Sequence, residues 1–476
     1  MRERLDFWRS GRRSLPPAPP ALRVPCVALL AFVAALSAQA QSTSDTPLVA
    51  VRFQQRSRLE GINDSPRANV SSADQALELQ TSMFIDVGQG KVRFAGELMD
   101  ARTELNDPKS LISTSLVNTF EPLQANLTWN FSDLLEPGHT GALKVGRFTM
   151  DVGRRRLVAR SGTRNTLSSF TGVNWQWRGA DGRNAQVFWV TPMRILPTNR
   201  ASLLANDDEL DRANRDTTFR GAFYQFPALK SRDRFEVYWA GIDQGNRPQN
   251  DAPPRDFDSV GFRSFRPTMA GKWSYEVEAV LQHGKSSATA AGITRRGLDH
   301  DAEFYHAEFG YAFSSKLSPV LLLQYDRASG DRDPFDGRNE GYDTLFGERR
   351  FDFTPQGIYG VFARGNLRTP GLRLTFVPWH RWQTTFSYRK YELDSTRDAW
   401  SGVGLRDVTG QAGRSIGRQL EGIFTWTAIP NRLTFETAFA KLKAGRFFRE
   451  TEGANFRGDP TFVYVMTTTN FGGRGR

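Results

Sequence analysis

The sequence has almost no cysteine, and its one apolar run stands at the N-terminus. Arginines between positions 2 and 23 precede an apolar run at 24–36 that contains the single cysteine, Cys26, and ends at Ala38-Gln39-Ala40. This is the layout of a secretory signal peptide, because the run of about 13 residues is shorter than the roughly 20 that a spanning helix needs. We predict that residues 1–40 are cleaved and that residues 41–476 form one exported domain.

Three further absences limit the possible folds and partners of the exported part. Without cysteine it has no disulfide framework, so burial and hydrogen bonds must stabilise it. It also has no apolar stretch near 18 residues, which excludes a spanning helix. Lysine is scarce, with 10 residues against 53 arginines, and removal of the leader leaves 57 basic and 49 acidic side chains, a net charge of +8. Because the arginines alternate with carboxylates and form no single basic face, nucleic acid is not expected as a partner.

Short segments of strictly alternating apolar and polar residues are abundant. In one of them Leu123, Ala125, Leu127, Trp129 and Phe131 share a face, and in another Trp273, Tyr275, Val277, Ala279 and Leu281 do. A period of two predicts strands with different surroundings on their two faces. About eighteen such segments occur between residue 46 and residue 471.

The connections between these segments alternate in length. Short turns such as 88–90 and 430–431 alternate with long polar loops, including 151–168, 284–299 and 329–370. This arrangement predicts an all-β fold, a transmembrane antiparallel β-barrel of about 18 strands in the bacterial outer membrane, in contact with lipid and lipopolysaccharide. Lipid cannot satisfy backbone polar groups, so the sheet must close. The alternative is a soluble β-sandwich, which rarely needs so many strands.

The last segment, 462–471, supports the barrel. Val463, Val465, Thr467, Thr469 and Phe471 form one face that ends in an aromatic residue, as in the assembly signal of outer-membrane barrels. If the apolar faces meet lipid, the opposite faces line a lumen of mixed charge, which includes Lys91, Arg93, Glu97, Arg178, Glu276 and Glu278. We expect this lumen to be water-filled or densely salt-bridged and not apolar. A barrel of this size is wide enough for an aqueous channel.

Residues 151–166, DVGRRRLVARSGTRNT, concentrate arginine in the third long loop. A solvated loop or a patch facing lipopolysaccharide is one interpretation. The other is a loop that folds inward, narrows the pore and presents Arg154, Arg156, Arg160 and Arg164 to an anionic solute. Arginine suits this role, because its planar guanidinium binds carboxylates bidentately and stays charged.

Residues 145–173 also resemble the alginate export family of outer-membrane barrels. The progression Gly-Arg, Arg-Leu-Val, Arg-Asn-Thr and Phe-x-Gly is present from Gly146 to Gly172, while Thr163 and Thr171 depart from it. The segments 329–360, 404–422 and 443–471 resemble the family too. The predicted pore and substrate-binding residues, from this resemblance and from the lumen pattern, are Arg147, Arg154, Arg156, Arg160, Arg164, Asn165, Arg178, Lys91, Arg93, Arg349 and Arg350.

The resemblance implies export of an alginate-like acidic polysaccharide through an electropositive constriction, with periplasmic secretion partners as a further expectation. The alternative is a specific porin for uptake of small organic or aromatic anions.

A function of a different class would be an outer-membrane enzyme. Gly413–Gly417 formally matches the Gly-x-Ser-x-Gly pattern around Ser415, but that motif needs a strand, a turn and a helix. His300 and His306 are explained better by loop and lumen positions than by catalysis. We therefore predict no enzyme and no cofactor. One candidate structural Ca²⁺ site consists of Asp331, Asp333, Asp336, Asn339 and Glu340, whose hard oxygen ligands suit calcium.

Overall fold

The protein is described by a computed structural model that covers residues 48–133, 136–245, 253–349, 352–353, 355–453 and 458–472. The predicted signal peptide, residues 1–40, lies outside the described residues and stays a prediction. Arg350, one of the predicted pore residues, also lies outside them.

The described chain is almost entirely strand and loop. The strands are β1 (Val49–Asn63), β2 (Asp74–Gln89), β3 (Val92–Glu104), β4 (Asn118–Ser132), β5 (Thr140–Phe148), β6 (Phe170–Arg178), β7 (Asn184–Arg194), β8 (Arg212–Ala213), β9 (Thr217–Pro227), β10 (Arg234–Gln244), β11 (Arg255–Arg266), β12 (Lys272–Ala290), β13 (Ile293–Ala312), β14 (Val320–Ala328), β15 (Arg338–Asn339), β16 (Leu367–Phe376), β17 (Trp382–Glu392), β18 (Ser415–Ile429), β19 (Leu433–Ala444) and β20 (Thr461–Phe471). The helices are α1 (Arg200–Ala205) and α2 (Arg446–Glu450). Neither described helix has the length and apolar character needed to cross a membrane.

Eighteen of the strands form one closed antiparallel wall in chain order. The two exceptions, β8 and β15, are two-residue strands within loops. The wall closes where β20 pairs with β1, from Phe53 opposite Phe471 to Asn63 opposite Thr461. The prediction of an antiparallel barrel of about 18 strands is confirmed. Closure pairs the backbone groups that lipid could not satisfy.

The alternating faces lie as the sequence pattern predicts. Leu127 and Trp129 of β4, Val277 of β12 and Val463 of β20 are exposed on the outside of the barrel. Glu276 and Glu278, their charged neighbours on β12, are buried inside. At the short-turn end the outer face is rich in aromatic rings, with Trp382 stacked on Trp426 and Phe53 against Phe471. Such rings are typical of the membrane–water interface.

Long connections gather at the opposite end, which the layout of such barrels makes the extracellular end. One expectation about them was wrong. Residues 284–299 form no long loop, because β12 and β13 continue to a two-residue turn at Ala291 and Gly292. Both turn residues have positive φ, 49° and 78°, the conformation of tight hairpin turns. The hydroxyls of Thr289 and Thr294 lie 2.8 Å apart across this extension.

Candidate functional site

The loop between β5 and β6, residues 149–169, crosses the inside of the barrel, and we call it the arginine loop. On one side it is held by the wall strands β1 and β2. Arg56 Nη1 donates to Gly162 O at 2.7 Å, and Gln80 Nε2 donates to Asn165 O at 2.5 Å. Asn165 in turn donates through Nδ2 to Leu79 O of β2 at 3.3 Å and to Arg102 O of β3 at 3.1 Å. The side chain of Asn165 therefore fixes the loop to the wall.

On the other side the arginine loop is held by Arg156. Its guanidinium forms ion pairs with Glu276 and Glu278 of β12, and its Nη1 lies 2.6 Å from Glu276 Oε1. Nε and Nη2 donate to the two carboxylate oxygens of Asp352 at 3.0 and 3.1 Å. Only 2% of the Arg156 side chain is exposed. Although burial opposes its charge, the three carboxylates raise the pKa of Arg156 well above its usual value.

These contacts belong to a larger buried network of charges. Arg263 bridges Glu236 and Glu276 at 2.7 and 2.9 Å, and His306 Nδ1 lies 2.6 Å from Asp326 Oδ1. Further members are Tyr238, Arg364 and Arg389. The expected dense salt bridging of the lumen is therefore present on the β10–β17 side.

The inward-folded loops also carry apolar side chains, which are packed together in two buried clusters. Met150, Leu157 and Val158 of the arginine loop pack with wall residues such as Phe188 and Phe304 in a buried apolar cluster. A second buried apolar cluster includes side chains from residues 353–367 and 393–416. Such clusters form because the long loops fold inward and must bury their own apolar side chains.

A second loop runs beside the arginine loop. The β14–β16 loop, residues 329–366, pairs with it through a parallel bridge between Val158 and Phe346. Ala159 N donates to Phe346 O at 3.0 Å, and Phe346 N donates to Leu157 O at 2.9 Å. The two loops therefore form one unit inside the barrel.

Three arginines from three loops meet in this unit, and we call them the arginine trio. Arg67 comes from the β1–β2 loop (64–73), Arg164 from the arginine loop and Arg349 from the β14–β16 loop. All three are half-buried. Nη2 of Arg349 and Nη2 of Arg67 lie 3.5 and 3.8 Å from the place that a Cβ would take at Gly360.

The arginine trio is bonded to neutral groups. Arg67 donates to the carbonyls of Ile358 and Gly402, at 3.3 and 3.1 Å, and Arg349 donates to Phe362 O at 3.0 Å. Arg164 donates through Nη2 to the hydroxyl Oγ of Ser168 at 2.6 Å. Within the described chain no carboxylate lies within 4.0 Å of a charged nitrogen of the trio.

Burial and mutual repulsion affect the charges of the trio. Burial, with the charges of Arg164 and Arg364, lowers the pKa of Arg349 to about 10. Burial and the charge of Arg349 lower the pKa of Arg67 to about 10. Burial also lowers the pKa of Arg164, and the charge of Glu348 partly opposes this shift. The trio therefore concentrates positive charge without a carboxylate at ion-pair distance in the described chain, and an anion would relieve the repulsion.

Other predicted pore residues have carboxylate partners. Arg147 pairs with Glu121 at 2.5 Å and Asp211 at 3.2 Å. Arg156 is too deeply buried to present its charge to a solute. Two partly exposed members of the set are Arg154, 3.8 Å from Glu276, and Arg160, 2.5 Å from Glu97. We therefore assign Arg147 and Arg156 to holding the loops in place.

The lumen-pattern residues lie near the periplasmic end, away from the trio. Arg93 pairs with Asp86 at 2.6 Å, while Lys91 is exposed in the β2–β3 turn. Arg178 is exposed at the end of β6 and has no ion pair within the described chain. Arg67 and Lys144 were missed by sequence reasoning. The alternating pattern along β5 could have placed Lys144 in the lumen. No sequence pattern could have identified Arg67, because only the fold of its loop brings it to Arg349.

The candidate calcium residues are engaged in other ways. Asp333 and Asp336 accept backbone N–H groups of Phe335 and Arg338, at 3.2 and 2.7 Å. In the described residues no group of three or more His, Cys, Asp or Glu side chains is arranged to hold a metal ion. Calcium binding there stays a prediction.

The arrangement around Ser415 does not match the hydrolase motif. Ser415 is the first residue of β18, and no helix follows it. The ring of His300 packs against Phe257 with ring centroids 4.4 Å apart, and His306 belongs to the buried charge network.

A family model for alginate export matches residues 49–458. The chain belongs to the alginate export family. The family match and the 18-stranded barrel identify an outer-membrane channel. No curated protein matches the sequence.

Several solved outer-membrane proteins share the fold of this alginate export family member. The outer membrane protein opdK from Pseudomonas aeruginosa is 11% identical, with a TM-score of 0.54 and coverage of 89% of this chain and 99% of that one. OccAB2 from Acinetobacter baumannii is 10% identical, with a TM-score of 0.57 and coverage of 90% and 98%. OccK2 (OpdF) from P. aeruginosa in complex with glucuronate is 12% identical, with a TM-score of 0.51 and coverage of 89% and 96%. At these identities the likeness is one of fold.

Proposed function

We propose that the protein conducts anionic solutes across the outer membrane and that the arginine trio selects them. One observation carries the proposal. Arg67, Arg164 and Arg349 come from three separate loops and meet in the loop unit inside the barrel, and within the described chain they have no carboxylate at ion-pair distance. Most other lumen arginines have such a partner. Rings of arginine in a pore favour anions, and guanidinium groups suit carboxylates in particular.

The proposed solute is an acidic polysaccharide of the alginate type. Family membership supports it, as does the trio, since a polyuronate carries one carboxylate on each sugar. Binding at the trio must be weak enough for each unit to leave, as conduction requires. Half-buried and mutually repelling guanidinium groups are compatible with such exchange.

A second candidate is the uptake of small organic anions. Two proteins of the same fold support it, OccK2 (OpdF) in complex with glucuronate and OpdK with vanillate. The inward-folded loops and their two apolar clusters also restrict the lumen of this chain. The carboxylate chemistry at the trio is the same for both candidates.

Planar-bilayer recording tests the proposal. In asymmetric KCl we expect a reversal potential that shows anion preference. The triple variant Arg67→Gln, Arg164→Gln, Arg349→Gln should lose that preference. A matched control changes Arg212, Arg332 and Arg446 to Gln, because these exposed side chains carry the same total charge outside the lumen. Cation preference in the unaltered protein, or equal loss of anion preference in both variants, would overturn the proposal.

The same recordings distinguish the two candidates. Mannuronate oligomers should block the current longer than monomeric uronates if a polymer is the solute. If only monomeric acids block, small-anion uptake is the function. Neutral oligosaccharides of equal length control for size.

A further inference from the structure

A separate polar cavity lies in the lumen, nearer the periplasmic end than the trio. Its volume is about 210 Å³, and its lining includes Gln176, Arg178, Asn184, Gln186, Gln225 and Glu236. These residues come from β6, β7, β9 and β10, and Asp151 and Gly153 of the arginine loop cover them. The cavity therefore lies between the wall and the underside of the loop.

The amide groups of the cavity are largely available to a ligand. Gln176 and Asn184 make no side-chain hydrogen bond within the described residues. Gln225 has one long contact, from Nε2 to Gly182 O at 3.5 Å. An amide offers both donors and an acceptor, so this lining matches hydroxyl groups, which also donate and accept.

Glu236 adds an unused acceptor. Its Oε1 accepts from Arg263 at 2.7 Å, but its Oε2 is buried without a hydrogen-bond partner. The residue is 2% exposed and lines the cavity. A buried acceptor without a partner is costly, and a ligand hydroxyl would satisfy it.

Positive charge stands beside these groups. Arg178 lines the cavity, and Lys144 on the neighbouring strand pairs in register with Asn174. Neither has an ion pair within the described chain. The lining also holds two carboxylates, Asp151, which accepts from Arg160 N–H, and Glu236, which is paired with Arg263. A ligand carboxylate would be drawn to Arg178 and repelled by Asp151 and Glu236, so an acid bound here would be oriented with its hydroxyls toward Glu236.

The size limits the ligand. The volume of the cavity is about 210 Å³. It is smaller than the pockets of about 300–1,000 Å³ that hold drug-sized ligands. One sugar ring at a time is therefore the largest occupant that we expect.

We propose that this cavity is a periplasmic subsite that binds one acidic sugar unit, by its carboxylate at Arg178 and by its hydroxyls at the amides and Glu236. The inference rests on the proposed function and names the solute chemistry more closely. An acid without hydroxyl groups would leave the amides and Glu236 without partners. The subsite therefore discriminates between uronates and simple aromatic acids.

Current block by D-glucuronate, with benzoate for comparison, tests the subsite. Addition to the periplasmic chamber should give a stronger block by glucuronate than by benzoate. The double variant Gln176→Met, Gln225→Met should weaken glucuronate block roughly tenfold, since it removes several hydrogen bonds. Gln383→Met is the matched control, because Gln383 is exposed at the periplasmic end of β17 and does not line the cavity. Heat-modifiable gel migration shows that each variant has folded.

The outcomes separate the two proposals. Unchanged block in the double variant, the same loss in Gln383→Met, or equal block by benzoate would overturn the subsite, whatever the ion selectivity. Conversely, cation preference together with amide-dependent glucuronate block would overturn the role of the trio and support the subsite.

Discussion

Arg156 and Asp352 form a two-point ion pair between two loops inside the barrel, with Nε–Oδ2 and Nη2–Oδ1 distances of 3.0 and 3.1 Å. Each residue also reaches other charges: Arg156 contacts two glutamates of β12, and Asp352 contacts Arg364. The pair therefore joins the arginine loop, the β14–β16 loop and the barrel wall.

Replacement of Arg156 by Gln should release the arginine loop. It would leave three buried carboxylates without their shared cation, a change that costs about 3–5 kcal/mol in buried ion pairs. Hydrogen exchange of residues 149–169 should become faster, and single-channel current should become noisier. Arg154→Gln is the control, because its side chain is 45% exposed and lies 3.8 Å from Glu276. Equal protection of the loop in Arg156→Gln and the unaltered protein would contradict this account.

Gly153 allows a close approach of the arginine loop to the wall. Its φ is 50°, and a Cβ there would lie 2.9 Å from Cε2 of Phe223. Gly153→Ala therefore combines backbone strain with a steric clash, and we expect destabilisation of about 1–3 kcal/mol. Gly162→Ala in the same loop is the control, because a Cβ there meets nothing within 4 Å. Hydrogen exchange of the loop measures both, and an equal effect would show that the close approach at Gly153 does not matter.

The loop between β7 and β9 should be held more firmly in acid. Burial and the nearby Glu121 raise the pKa of Asp211 to about 7, although Arg147, the Leu196 N–H and Asn118 oppose the shift. A carboxyl group whose pKa is higher in the folded state than in the unfolded state stabilises the fold at low pH. That contribution is lost as the pH rises through about 7.

Hydrogen exchange of residues 195–216, corrected for intrinsic rates, measures this effect. Protection should be greater at about pH 5.5 than at about pH 8.5. Asp211→Asn should remove most of the difference, while Asp208→Asn, at a side chain that is 70% exposed, should keep it. A pH difference that persists in Asp211→Asn would assign it to another group.

The sequence predicts the wall of this protein better than its interior. Alternation places Val277 outside and Glu276 inside because the period of two is local and the membrane imposes it on every strand. The position of the arginine loop was predicted correctly for the same reason, because the strands on either side of it were predicted correctly. Its partners were not predictable. Asp352 meets Arg156 only after the β14–β16 loop folds inward, and no local pattern encodes contacts across 196 positions.

The parallel bridge between Val158 and Phe346 predicts a disulfide in a double cysteine variant. Bridged residues of adjacent strands lie about 4.7–4.9 Å apart, within the 4.4–6.8 Å that a disulfide spans. The only cysteine, Cys26, lies in the predicted signal peptide, so the mature variant Val158→Cys, Phe346→Cys has one possible intramolecular pair. We expect oxidation to form the bond and to leave the mean ion conductance unchanged, because the two loops already form one unit in the conducting channel. The single variants control for the loss of apolar packing. An oxidised channel with altered conductance that dithiothreitol restores would show that the two loops separate when the channel conducts.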